Sequence, residues 1–228
     1  MLKKSSWNII KKSQPLGWVM EPDAKTLMKS QGFAVPDNIL TNSFEKANQF
    51  MEDSDSPIVV KAVSKKVVHK TEQKAVVTNI ASSSHLKKEM ARLQKLDGCE
   101  NILVEQMVEG IELIIGAKND FQFGPVVVFG IGGTSVEIYN DTAIRMAPLR
   151  ENDVLSMVES LKAKDLLFGH RGKPGVNMKI LTRLIVDFSL FIMDLQDDME
   201  SIDLNPVICT KNQCIIADAR IILQNTPL

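Results

Sequence analysis

The chain has 228 residues, 44% hydrophobic and 24% charged, enough to bury a core as one large domain or two small ones. Lysine and arginine total 27 against 28 aspartates and glutamates, so no global field draws the chain to nucleic acid or an anionic membrane. Three cysteines (Cys99, Cys209, Cys214) and three histidines show no metal-ligand spacing, which argues against zinc and for reduced thiols in a cytoplasmic protein.

Residues 1–20 form a basic N-terminal segment without an apolar run of signal-peptide length. A short helix is expected over 22–31, with Pro22 in its first turn and Gly32 ending it. Ser43 can cap a second helix. IVVKAV (58–63) and AVVTNI (75–80) read as strands, and Ser84 can cap a helix with Leu86, Met90, Leu93 and Leu96 on one face. From residue 102 four strand-like segments follow, ILVEQMV, ELIIGAK, PVVVFGIG and AIRMAPL, and then a helix over 152–161. Asn177 can cap a long apolar helix, which Lys179, Arg183, Asp187 and Asp194 interrupt too often for it to span a membrane. The chain ends in two strands, SIDLNPVICT and QCIIADARIIL. The fold class is α+β (α/β), with lobes over 21–104 and 105–228 and a cleft between them.

Charges that interrupt apolar strands are informative, because burying one without a partner costs several kcal/mol. Lys61, Lys70 and Arg145 are separated cations that together suit a triphosphate, though each alone is as compatible with a structural role. Glu105 and Glu112 flank QMVEGI, where open backbone can read an adenine edge and a carboxylate can accept from a ribose; two surface glutamates would look the same. Asp203 and Asn205 in DLNP, with Asp218 in the neighbouring strand-like run, offer the hard oxygens that Mg²⁺ prefers. An Asx-Pro turn beside a solvated aspartate is the alternative. GIGGTS fails the dinucleotide fingerprint and leaves a glycine turn, Gly132 and Gly133, whose amides can touch a phosphate. His69 beside Lys70 favours a neutral, nucleophilic imidazole.

In their order along the chain, EPDAK, GFAVP, IVVKAVS, HKTE, ILVEQMVEGIELIIGAKND, FGPVVVFGIGG, VEIYND, IRMAPL, DLNP and ADARIIL resemble the ATP-grasp subunit of ADP-forming acyl-CoA synthetases, and more distantly the β subunit of succinyl-CoA synthetase. The resemblance spans roughly Gly17 to Leu223. It implies the ATP-grasp fold, ATP/ADP and Mg²⁺ as cofactors, and reversible conversion of acyl-CoA, ADP and phosphate into acid, CoA and ATP through a phosphohistidine. It also implies a CoA-binding α-type subunit or domain that carries the main phosphohistidine, and hence a hetero-oligomer. By position, Lys61 and Lys70 would meet the ATP phosphates. Glu105, Gln106, Met107 and Val108 would form the adenine hinge, Glu112 would meet the ribose, and Asn205 and Asp218 would hold Mg²⁺. His69 matches the family's second phosphate-carrying histidine. Two positions depart from the pattern: Gln73, Lys74 and Ala75 replace a hydrophobic residue and two glycines, and Ser201 replaces an acid. The lost glycines leave a second reading open, a regulatory module that binds nucleotide without phosphoryl transfer.

Overall fold

Two short segments far apart in sequence decide how the chain divides. Trp18 and Val19 pair antiparallel with Ile222 and Ile221, and the Ala34 carbonyl accepts from the Ile216 amide at 2.9 Å. In the computed structural model, which describes residues 2–66, 74–133, 141–170 and 172–224, one unit therefore joins Met1–Val35 to Glu109–Leu228, and Pro36–Val108 forms the other. This differs from lobes over 21–104 and 105–228 behind a separate segment 1–20. Local periodicity does not reveal strand partners two hundred residues apart.

The first unit opens with α1 (Lys4–Ser13), β1 (Trp18–Val19) and α2 (Glu21–Ser30). The helix α1 has no counterpart in the sequence expectations. It docks through buried Ile10 and through a polar contact, Ser6 Oγ to Ser30 Oγ at 3.0 Å, with Gln31 Nε2 donating to Ser6 Oγ at 3.0 Å. Pro22 stands in the first turn of α2, and Gly32 beyond its end adopts φ +92, a left-handed conformation that costs glycine nothing.

The second unit holds β2 (Asn38–Thr41), α3 (Phe44–Glu52), β3 (Ile58–Ser64), β4 (Val76–Ile80), α4 (Ser83–Leu93) and β5 (Cys99–Gln106). Its sheet runs β2-β5-β3-β4, with every pairing antiparallel. Ser43 caps α3 by accepting from the Lys46 amide. Ser82, two residues before the expected Ser84, caps α4 by accepting from the His85 amide. Lys74, at a position where the family carries glycine, keeps a glycine-like φ of +52, and Arg92 Nη1 donates to its carbonyl at 3.0 Å.

The rest of the first unit is β6 (Ile111–Asp120), β7 (Gly124–Ile131), β8 (Thr142–Met146), α5 (Glu151–Ser160), α6 (Asp165–Phe168), β9 (Gly169–His170), β10 (Lys173–Pro174), α7 (Met178–Asp194), β11 (Met199–Cys209), β12 (Cys214–Ile216) and β13 (Arg220–Leu223). The seven-stranded sheet runs β1-β13-β11-β6-β7-β8, and β12 adds to β11. Asn177 caps α7 by accepting from the Lys179 and Ile180 amides, and Leu181, Ile185, Phe188 and Ile192 bury its inner face. Each such side chain contributes about 1.5–3 kcal/mol on burial, so α7 anchors one face of the sheet. Cys209 and Cys214 stand opposite each other on β11 and β12 and are joined as a disulfide, not held as separate thiols; Cys99 is free. Among the described residues no helix is long and apolar enough to cross a membrane.

Candidate functional site

Strand alternation sorts the side chains of each unit onto two faces. In the second unit, Ile58, Val60, Ala62, Ile102 and Val104 join the core beneath α3 and α4. Lys61 and Glu105 consequently emerge on the opposite face. There Lys61 Nζ lies 2.8 Å from Glu105 Oε2, with side chains only 7% and 2% exposed. An ammonium buried this deeply requires a counter-charge, and Glu105 provides it.

That contact bears on the expected adenine hinge. The Glu105 carboxylate turns to Lys61, and its main chain lies in the ladder between Asn38 and Val59. The Gln106 amide donates to the Asp37 carbonyl at 3.0 Å and the Met107 amide to the Pro57 carbonyl at 2.9 Å. The Met107 carbonyl accepts from Ser56 Oγ at 3.3 Å. Of the stretch 105–108, only the Val108 amide has no acceptor among the described residues. His69 and Lys70 lie outside the described residues.

In the first unit, Ile115, Ala117, Val127, Phe129, Ala143, Ile202, Leu204 and Ile221 point into the helix-covered core. Their alternates form a row across the other face: Arg220 on β13, Asp203 on β11, Gly116 on β6, Val128 on β7 and Ile144 on β8. Beside this row the ladder breaks on both sides of one level. The register of β11 against β6 shifts between Leu204 and Val207, around Pro206, which has no amide hydrogen to give. The run expected as one strand, QCIIADARIIL, splits into β12 and β13 around 217–219, where the Ala217 amide donates to the Pro206 carbonyl at 3.0 Å. Asn205 and Asp218 flank this gap, and Asp203 shares the Asn205 side of β11, because buried Leu204 lies between them.

Burial pushes the Asp203 carboxyl above the usual carboxylate range although the residue keeps a solvent-exposed side; the neighbouring Asp218 charge pushes the same way and Arg220 opposes. Arg220 Nε is a buried polar atom without a hydrogen-bond partner among the described residues. Sequence reasoning passed over Arg220, whose signal was a second charge, two residues after Asp218, in the otherwise apolar run ADARIIL. The donor set is two carboxylates and one amide, and no group of three or more His, Cys, Asp or Glu side chains gathers for a metal among the described residues. Such a sparse set of hard oxygens fits Mg²⁺, which keeps several waters and phosphate oxygens in its octahedron.

Three other expectations meet different geometry. Arg145 pairs in register with core-facing Val127, and its Nη1 and Nη2 donate to the Ile144 carbonyl at 2.8 Å and to Ser156 Oγ on α5 at 2.9 Å. It therefore lies on the helix side of the sheet, the face opposite to Asp203. The Gly132 amide donates to the Glu112 carbonyl at 2.8 Å, so it is committed to closing the turn; Gly133, at φ +98, is the remaining glycine. A Cβ at Gly132 would lie 3.3 Å from the Glu112 backbone, a close approach that explains the glycine. Glu112 itself is exposed at the start of β6.

Residues 11–223 match the family model described as an ATP-grasp domain. The chain belongs to the ATP-grasp family. It is 33% identical to the β subunit of acetate–CoA ligase [ADP-forming] II from Pyrococcus furiosus, over 90% of this chain and 92% of that one. Acetate–CoA ligase [ADP-forming] I of Archaeoglobus fulgidus is 31% identical over 91% of this chain, which spans only 31% of that longer protein. Acetyl-coenzyme A synthetase 1 of Ca. Korarchaeum cryptofilum superposes with a TM-score of 0.87 at 34% identity, over 96% of this chain and 100% of the matched chain, in a complex with coenzyme A and Ca-AMPCP. The same enzyme bound to coenzyme A and Mg-AMPPCP superposes at 0.81. The ATP-grasp fold expected from the sequence is therefore correct.

Proposed function

We propose the following division of labour in this chain, the ATP-binding subunit of an ADP-forming acyl-CoA synthetase, which is an acid–CoA ligase. Asn205 and Asp218 hold Mg²⁺, with Asp203 beside them. When bound, the metal neutralises charge on the phosphates during phosphoryl transfer. Lys61 donates to a phosphate oxygen, and the Val108 amide, with neighbouring hinge backbone, reads the adenine edge. Glu112 accepts from the ribose, and Gly133 and Lys70 contribute to the phosphate surroundings. His69 receives the phosphoryl group from the partner's phosphohistidine and passes it to ADP: the partner's N–P bond breaks as an N–P bond to His69 forms, and that bond breaks in turn as the ADP oxygen–phosphorus bond forms.

The observation that carries this reading is the paired break in the ladder, with Asn205 on one side of the gap and Asp218 on the other. A CoA-binding subunit completes the reaction acyl-CoA, ADP and phosphate to acid, CoA and ATP. Its involvement is supported by the naming of the Pyrococcus relative as a β subunit. The Korarchaeum enzyme, described with a phosphohistidine segment pointing towards the nucleotide binding site, supports it further. The protein is placed in the cytoplasm, where acyl-CoA and ADP are available.

The test uses the purified chain with and without the CoA-binding subunit. Alone it binds Mg-ATP by calorimetry yet forms no ATP from acyl-CoA, ADP and phosphate; adding the partner restores turnover. Turnover by the isolated chain would overturn the division of labour. Nucleotide binding by the complex without turnover would instead favour the regulatory module.

A further inference from the structure

We infer that Glu105 is the positioning residue of Lys61, holding its ammonium where a nucleotide phosphate meets it, and is not a reader of the base. The inference rests on the reading that Lys61 contacts phosphate. Its observations belong wholly to the second unit. Glu105 sits on the central strand β5, diagonally across from Lys61 on β3, since Val59 is in register with Glu105 and Lys61 with Leu103. Both side chains leave the face opposite α3 and α4, and the carboxylate reaches the ammonium at 2.8 Å.

Three physical points favour positioning over base recognition. The backbone of Glu105 lies in the ladder between β2 and β3, so its amide and carbonyl belong to the sheet. Its carboxylate is 2% exposed and committed to a cation, which leaves it badly placed to accept from an adenine amino group. An ammonium carries three donors, so an ion pair with one carboxylate and a contact to a phosphate oxygen are compatible at one nitrogen. A lysine side chain has four rotatable carbons and is costly to order. A fixed carboxylate meets that cost before the ligand arrives, as the lysine–glutamate pair of protein kinases does for its own phosphate contact.

The experiment measures affinity for Mg-ADP, Mg-ATP and adenosine with wild type, Glu105→Gln, Glu105→Asp and the Lys61→Met background, each checked for folding by thermal denaturation. Glu105→Gln weakens Mg-ADP and Mg-ATP about 10-fold, the size expected for a lost charged hydrogen bond, and leaves adenosine unchanged. Glu105→Asp, which keeps the charge on a shorter stem, recovers part of the loss. In the Lys61→Met background, Glu105→Gln changes Mg-ADP affinity less than about 2-fold, because the group through which it acts is gone. A parallel loss for adenosine would overturn the inference in favour of base reading. So would unchanged or tighter Mg-ADP binding by folded Glu105→Gln, or a full effect in the Lys61→Met background. A wild-type chain that binds adenosine and Mg-ADP equally well would overturn the phosphate role of Lys61 itself, a separate and recognisable failure.

Discussion

The two units set the charges on their strands in different ways. In the second, Lys61 is closed onto Glu105 at 2.8 Å, so the charge is balanced within the protein. In the first, burial and then the Asp218 charge raise the Asp203 carboxyl beside a break in the ladder, and Arg220 opposes them. A closed pair balances its charge within the protein, whereas two neighbouring carboxylates set up a repulsion that a cation would relieve. The first unit also has a closed pair, Lys25 with Glu21 at 2.8 Å on α2, side chains 2% and 1% exposed. That pair is set in the helical core and serves the fold. Chemistry alone does not separate a structural ion pair from a functional one; the face of the element does.

The sharpest way to break this comparison is at the carboxylates. Asp218→Asn keeps the shape but removes one of the few protein charges available to Mg²⁺. Steady-state turnover of the complete enzyme is expected to fall by roughly 10²–10³, with far-UV circular dichroism unchanged. A folded variant with wild-type turnover would remove Asp218 from the metal site.

The next effect concerns the closed pair in α2. Glu21→Gln leaves the Lys25 ammonium buried without its counter-charge, and the loss of stability is expected to be about 3 kcal/mol in denaturant unfolding. Nucleotide affinity of the surviving folded fraction stays at the wild-type value, in contrast to Glu105→Gln. If Glu21→Gln weakened nucleotide binding as strongly as it weakened the fold, the distinction between the two pairs would collapse.

Much of this was legible in the sequence because it is local. The caps at Ser43 and Asn177, the apolar face of α7 and the β-branched strands follow from side-chain periodicity and hydrogen-bonding capacity over a few residues. The ordered motifs led to the correct family. What stayed hidden depends on which strands become neighbours. Nothing near Glu105 in sequence announces that Lys61, on another strand, will absorb its carboxylate. Nothing near Arg145 shows that Val127 will set it on the helix side. The split at 217–219 follows from Pro206 on the adjacent strand, so a run that reads as continuous breaks where the site needs it. Lys74 shows the limit differently: the replaced glycine suggested a lost conformation, yet the backbone keeps a φ of +52.

The smallest expected effect tests whether the open carboxylates cost the fold anything. Burial, then Asp218, raise the Asp203 carboxyl above its ordinary value. The folded state therefore holds a proton there at pH values where the unfolded chain, with a carboxyl near about 3.9, has already released it. Between those two values the native state binds more protons, so stability falls as pH rises through the window. Below that window the group is neutral in both states and the penalty vanishes; above it the group is charged in both and the penalty is full. Asp203→Asn should raise Tm at pH 7 by about 2 °C and leave it unchanged near pH 3. Saturating Mg²⁺ should shrink the gain, since a cation at the ladder break relieves the same repulsion in the wild type. A variant with lower Tm at pH 7 would mean that the Arg220 contact outweighs both burial and Asp218, and that the two carboxylates are not waiting for a metal.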